Sequence, residues 1–220
     1  MPPLREQMRA EVARLAELVG AGPRHLPDWD HARGDATPHV EVHGGLMSWV
    51  VSERGQEYER RTTGDLYEWL SWVFTAATKF MANDWELQRR IPYVESRITN
   101  FVKHLELLER LDPAWAESEL EHYAAVLARH PYTTRDYSPA ARRSAAGYLV
   151  NTVRGPQDNS VNSAAAPASE IDLDHNQTVF ATRSLIADGL RRNGVAPDEI
   201  RRIDRWACRL PAPNPVRSHA

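Results

Sequence analysis

Cysteine is almost missing from this chain: Cys208 is the only one among 220 residues. An intrachain disulfide is therefore impossible, and a single thiol with no neighbouring Cys or His at ligand spacing builds no zinc site, which fits a reducing compartment. Long apolar runs are missing as well. The N-terminal MPPLREQMRAEVARL is charged every few residues, and no later stretch reaches the roughly 20 apolar residues that span a bilayer, so neither export nor membrane insertion is expected and the protein is expected in the cytoplasm. There is no phosphate-binding glycine loop, no GxSxG elbow, no HExxH, no dinucleotide fingerprint and no CxxC, which removes the common signatures of nucleotide, hydrolase and metal chemistry. Repeats of solenoid length are absent too.

What is present is ordinary globular material, with 42% hydrophobic and 26% charged residues, enough to bury a substantial core without staples. The net charge of −3 is unevenly spread. Residues 1–132 carry 15 Lys/Arg against 21 Asp/Glu, whereas residues 133–220 carry 12 against 9. An acidic main body repels phosphate backbones and attracts a basic protein, so nucleic acid is not an expected partner.

The hydrophobic pattern predicts a mostly helical α+β fold. Leu4, Met8, Val12, Leu15 and Val19 form one helical stripe that ends at a Gly20–Pro23 breaker. A loop follows to Pro38, then HVEVH alternates with Val40 and Val42 on one side, and Gly44-Gly45 can turn the chain. Arg54-Gly55 reads as a two-residue hairpin loop, which places Val51 opposite Tyr58 and Trp49 opposite Arg60 and gathers Met47, Trp49, Val51 and Tyr58 on one face. Arg at the first loop position is uncomfortable at positive φ, so a bulge is an alternative.

Thr62 and Asp65 mark the start of a central core helix through Leu66, Trp69, Leu70, Val73, Phe74, Ala77, Phe80 and Met81, stopped by Pro92. Val94, Ile98, Phe101, Leu105, Leu108 and Leu111 describe the next helix, and Asp112-Pro113 caps a third. The expected organisation is a domain over residues 1–132, an appended helix over 133–154, a linker over 155–172 too poor in large apolar side chains to order itself, a helical pair over 173–210 that must dock to be stable, and a disordered tail over 211–220.

Few residues offer chemistry. His39, Glu41 and His43 share a strand face, and Glu119 with His122 forms an ExxH pair, but an exposed strand face and a solvated helix surface account for them, and no metal or cofactor is expected. Glu53, Arg54 and Gly55 sit at a hairpin tip, suited either to turn chemistry or to a partner. Glu106, Glu109, Asp112, Glu117, Glu119 and Glu121 face only Arg110 as a base, a run that is either the wet side of two helices or an acidic docking face.

Over residues 1–132, roughly, the chain resembles the immunity protein 63 family of bacterial polymorphic toxin systems. The shared pattern reads ERGxE in Glu53, Arg54, Gly55 and Glu57; TxDL in Thr63, Asp65 and Leu66; FxxxTxxMA in Phe74, Thr78, Met81 and Ala82; then Glu86, Leu87 and Arg90, LELLxxLxPxW from Leu105 to Trp115, and a closing Pro131-Tyr132. Pro92 and everything after Tyr132 depart from it. The resemblance implies a non-enzymatic protein that binds a cognate toxin and neutralises it by occlusion, with a basic nuclease as the favoured toxin class. It assigns no catalytic residue and leaves the oligomeric state open. Expected partner-binding residues are Glu53, Arg54, Glu106, Glu109, Glu117 and Glu121, and the motif positions are Glu53, Arg54, Gly55, Asp65, Glu86 and Arg90. The competing readings are a small hydrolase using Glu53, Arg54, Asp65 or Glu86, which requires those groups to converge, and an adaptor with no toxin partner.

Overall fold

The computed structural model describes residues 3–29, 31–91, 94–131 and 175–211, with side chains of 175–182 left aside. The appended helix over 133–154, the linker over 155–172, Pro92, Tyr132 and the tail beyond Pro211 lie outside the described residues. The fold is mostly helical α+β, with elements in the order α1 (Leu4–Val19), β1 (His39–His43), β2 (Leu46–Glu53), β3 (Gln56–Thr63), α2 (Leu66–Gln88), α3 (Ser96–Leu111), α4 (Pro113–Arg129), α5 (His175–Arg192) and α6 (Pro197–Ala207). They form two compact units. The first comprises the chain up to Trp85 together with His104–Glu119; the second comprises Glu86–Lys103 and the described residues from Leu120 onward.

In the first unit, α1 buries Met8, Val12, Leu15 and Val19, the stripe its spacing predicts. Gly20 closes it in the left-handed conformation (φ 77°), where a side chain would be strained. The sheet is an antiparallel meander, β1-β2-β3. Gly44-Gly45 and Arg54-Gly55 both turn the chain in two residues at positive φ, the turn whose twist matches the strands it joins. The hairpin register differs from the sequence expectation. Glu53 pairs with Gln56 and Ser52 with Glu57, but a bulge then inserts Tyr58, so that Val51 faces Glu59 and Trp49 faces Arg61. Tyr58 is correspondingly 63% exposed and does not join Met47 and Trp49 in the core. Strand β2 buries Met47 and Trp49 on one face and Ser48 and Val50 on the other, so it is covered on both sides.

Asp65, not Thr62, caps α2: its Oδ1 accepts the Tyr67 N–H at 2.9 Å, while Thr63 Oγ1 accepts the Asp65 N–H and donates to Glu68. The helix runs unbroken through Asn83-Asp84, and Trp69, Val73 and Phe74 are fully buried along it. Asp112 caps α4 through the Ala114 N–H (2.7 Å), with Pro113 in the first turn where its missing donor costs nothing. Phe74 stacks on Trp115 at 6.4 Å, and Arg110 at the end of α3 donates to the Leu18 carbonyl of α1.

In the second unit, Phe101 stacks on Tyr123 at 3.7 Å. Helices α5 and α6 are clamped together by a bidentate Arg183–Asp204 pair and bury Ile186, Leu190, Ile200, Ile203 and Trp206. The pair does dock: Gly189 lies against Ile91, Asn193 donates to the Arg89 carbonyl, and Glu199 pairs with Lys103 at 2.9 Å.

Candidate partner-binding surface

The hairpin tip is the first candidate. Gly34–Ala36 brace it: the Arg54 N–H donates to the Gly34 carbonyl (3.0 Å) and the Ala36 N–H to the Ser52 carbonyl (3.1 Å). These bonds fix the backbone while the Arg54 side chain stands in solvent beside Glu53, with 3.5 Å between charges. A tethered tip with a solvent-exposed guanidinium suits recognition, because little order has to be bought on binding.

The second candidate is the corner where α2 begins and α3 meets α4. Tyr67 is 50% exposed, packs its ring 5.4 Å from Trp115, and donates its hydroxyl to Asp112 Oδ2 at 2.9 Å. Partial desolvation, and then the bond to Asp112, raise the phenol pKa above its ordinary value. Asp112 bonds this hydroxyl, Asp65 and Glu68 stand at the start of the same helix, and all three accept from backbone N–H groups or hydroxyls, so these bonds do not cancel their negative charge. An amphipathic aromatic rimmed by carboxylates is the composition that anchors a basic protein surface.

The acidic run on α3 and α4 is only partly a surface. Glu106 is fully buried, which corrects its assignment to a docking face. Every residue from Ile98 to Leu108 is buried, so α3 has no wet stripe over that span. Glu109 is half-buried, and Glu117 and Glu121 are exposed. Glu119 also departs from the expected solvated surface: its carboxylate approaches the fully buried His104, 3.8 Å from Nδ1, while His104 Nε2 bonds the Thr75 carbonyl at 3.0 Å. One turn along α2 from Thr75, burial pulls the Lys79 pKa down to about 8, against the opposing effect of Glu119. The sequence shows these groups as polar but does not say that three helices enclose them.

The remaining residues find partners close by. Glu41 is held by Arg60 (2.7 Å), which also grips Glu57, and this bond first of all lowers the Glu41 pKa; His39 adds a contact at 3.4 Å. Among the described residues no group of three His, Cys, Asp or Glu is placed to hold a metal ion. Glu86 is buried and pairs with Arg90 at 3.3 Å; Asp65 caps its helix; Glu53 sits beside Arg54. Each of the four residues of the hydrolase reading is thus engaged with a residue at most four positions away in sequence.

Residues 44–125 match the family model described as Immunity protein 63. The match takes in both hairpin turns, α2, α3 and most of α4. No curated protein and no solved structure matches the chain. No helix among the described residues is long and apolar enough to cross a membrane.

Proposed function

We propose that the protein is an immunity protein that binds a cognate bacterial toxin in the cytoplasm and blocks it by covering its surface, without making or breaking covalent bonds. The observation that carries this reading is the Immunity protein 63 match over residues 44–125. Within that segment lie the braced tip with Glu53 and Arg54, the Tyr67 corner with Asp65, Glu68 and Asp112, and the exposed Glu117 and Glu121. An acidic surface with an aromatic anchor favours a basic toxin, of which a nuclease is the proposed class; nucleic acid and membrane are not proposed as partners. The neutralising body is proposed to span residues 1–132, with the C-terminal helical pair as an accessory to it.

Co-expression with the protein encoded beside it provides the test. Rescue of growth and a stable purified complex are expected; a harmless neighbour would point instead to an adaptor without a toxin. Turnover of a small substrate by the purified protein, lost when one carboxylate is neutralised, would overturn the non-enzymatic reading. Charge reversal at Glu109 and Glu117, in variants whose near-ultraviolet dichroism stays native, should slow association and weaken its salt dependence.

A further inference from the structure

The sheet has two outer edges, and they are finished differently. The edge of β1 is bridged at its start by Asp28, whose N–H donates to the Pro38 carbonyl (2.8 Å) and whose carbonyl accepts the Val40 N–H (2.9 Å). The edge of β3 is open: among the described residues it pairs with β2 alone, and none of its eight residues is buried. Edges are commonly blunted by lysine, proline or a net charge. Strand β3 has no lysine and no proline, and its Glu57, Glu59, Arg60 and Arg61 sum to zero. The bulge at Tyr58 bends only the tip end, leaving Glu59–Thr63 as regular ladder against Met47–Val51.

An open edge templates another strand, and the charge order along it selects which. In β3 the acids precede the bases. Laid antiparallel against its own copy, the strand can set Glu59 opposite Arg61 of the second copy and, by the twofold, Arg61 opposite Glu59 of that copy. Arg60 then faces Arg60 of the second copy, each guanidinium already held between Glu41 and Glu57 at 2.7 Å. Tyr58, the most exposed aromatic of the strand, lies opposite Thr62 of the second copy. We propose that two copies of this chain pair through β3 in this antiparallel, twofold arrangement, joining their meanders into one six-stranded sheet. The interaction buries less than the roughly 800 Å² per partner of a standard interface, so it is weak, with the dimer forming at about 100 μM and dissociating near 1 μM.

Sedimentation equilibrium on the full chain across that range tests it. A reversible monomer–dimer equilibrium is expected. Glu59→Arg and Arg61→Glu, each checked for native circular dichroism, should each weaken self-association about tenfold or more. An equimolar mixture of the two variants should recover it, because the altered strands complement one another, which a mere loss of folding could not produce. A monomer throughout the range, a dimer indifferent to both substitutions, or failure of the mixture to recover association would overturn the proposal. So would amide-exchange protection of β3 that appears only when a different protein is bound, since the edge would then serve a heterologous strand.

Discussion

Gly189→Ala in the full chain tests how α5 seats on the segment after α2. A Cβ at that position would stand 2.4 Å from Ile91 Cγ2, 2.8 Å from Cγ1 and 3.0 Å from Cδ1. Those three atoms are all of the isoleucine beyond its Cβ. Branching at Cβ leaves the side chain few rotamers, and at 6% exposure it cannot swing into water. Overpacking of this kind costs about 1–3 kcal/mol, while alanine in place of a helical glycine returns about 1 kcal/mol, so the substitution should destabilise by up to about 2 kcal/mol. Ile91→Ala alone should cost about 2–5 kcal/mol through the cavity it leaves. In that background, however, the three atoms nearest the new methyl group are gone, and Gly189→Ala should stabilise by about 1 kcal/mol. Urea unfolding of the four chains in a double-mutant cycle reads the reversal as a coupling of about 1–3 kcal/mol. An effect of Gly189→Ala that has the same sign and size in both backgrounds would refute the close approach.

Lys79 has a pKa lowered to about 8 in the fold against 10.5 in the reference state. The unfolded chain therefore binds the proton more tightly, and stability should rise as pH climbs from about 8 to about 10.5. The full shift corresponds to about 3 kcal/mol; because Lys79 is only half-buried and solvent screens part of the effect, roughly 1–2 kcal/mol is expected. Lys79→Met should abolish that rise in denaturation midpoints measured across the window, and parallel pH profiles for the two proteins would count against the buried amine. Arg54 holds φ at 51°, where asparagine is far more comfortable, so Arg54→Asn should raise stability by about 1 kcal/mol in urea unfolding; no gain would argue against the turn geometry. Asp112→Ala removes both the α4 cap and the acceptor of Tyr67, for a loss of about 1–2 kcal/mol, whereas Asp112→Asn keeps the cap and should lose less than half of that; equal losses would discount the cap.

Local chemistry made much of the fold legible. Gly20, Gly44-Gly45, Arg54-Gly55 and Asp112-Pro113 each announce a turn or a helix end through the backbone conformation they permit, and each stands where expected. The bulge at Tyr58 was less legible. No residue type is reserved for it, and alternation assigns a tyrosine to the buried face of a half-covered sheet. Since β2 is covered on both faces, alternation could not reveal that Tyr58 had slipped out of register.

The acidic run shows the same limit in the candidate surface. Helical periodicity sorts α3 into apolar and polar stripes and treats the polar stripe as wet. Burial from Ile98 to Leu108 means that its polar groups need partners inside the protein. Lys103 finds Glu199, 96 residues away in sequence, and His104 finds the Thr75 carbonyl. Pairings at such separations leave no spacing to read. The distinction governs how substitutions on α3 and α4 are to be understood: Glu117→Lys changes an exposed charge of α4 within the proposed toxin-binding surface, whereas Glu106→Lys on α3 puts a cation where a fully buried carboxylate stood, at a cost of several kcal/mol. Loss of toxin binding in the second variant would therefore report unfolding, visible as lost near-ultraviolet dichroism, and only the first tests the proposed interface.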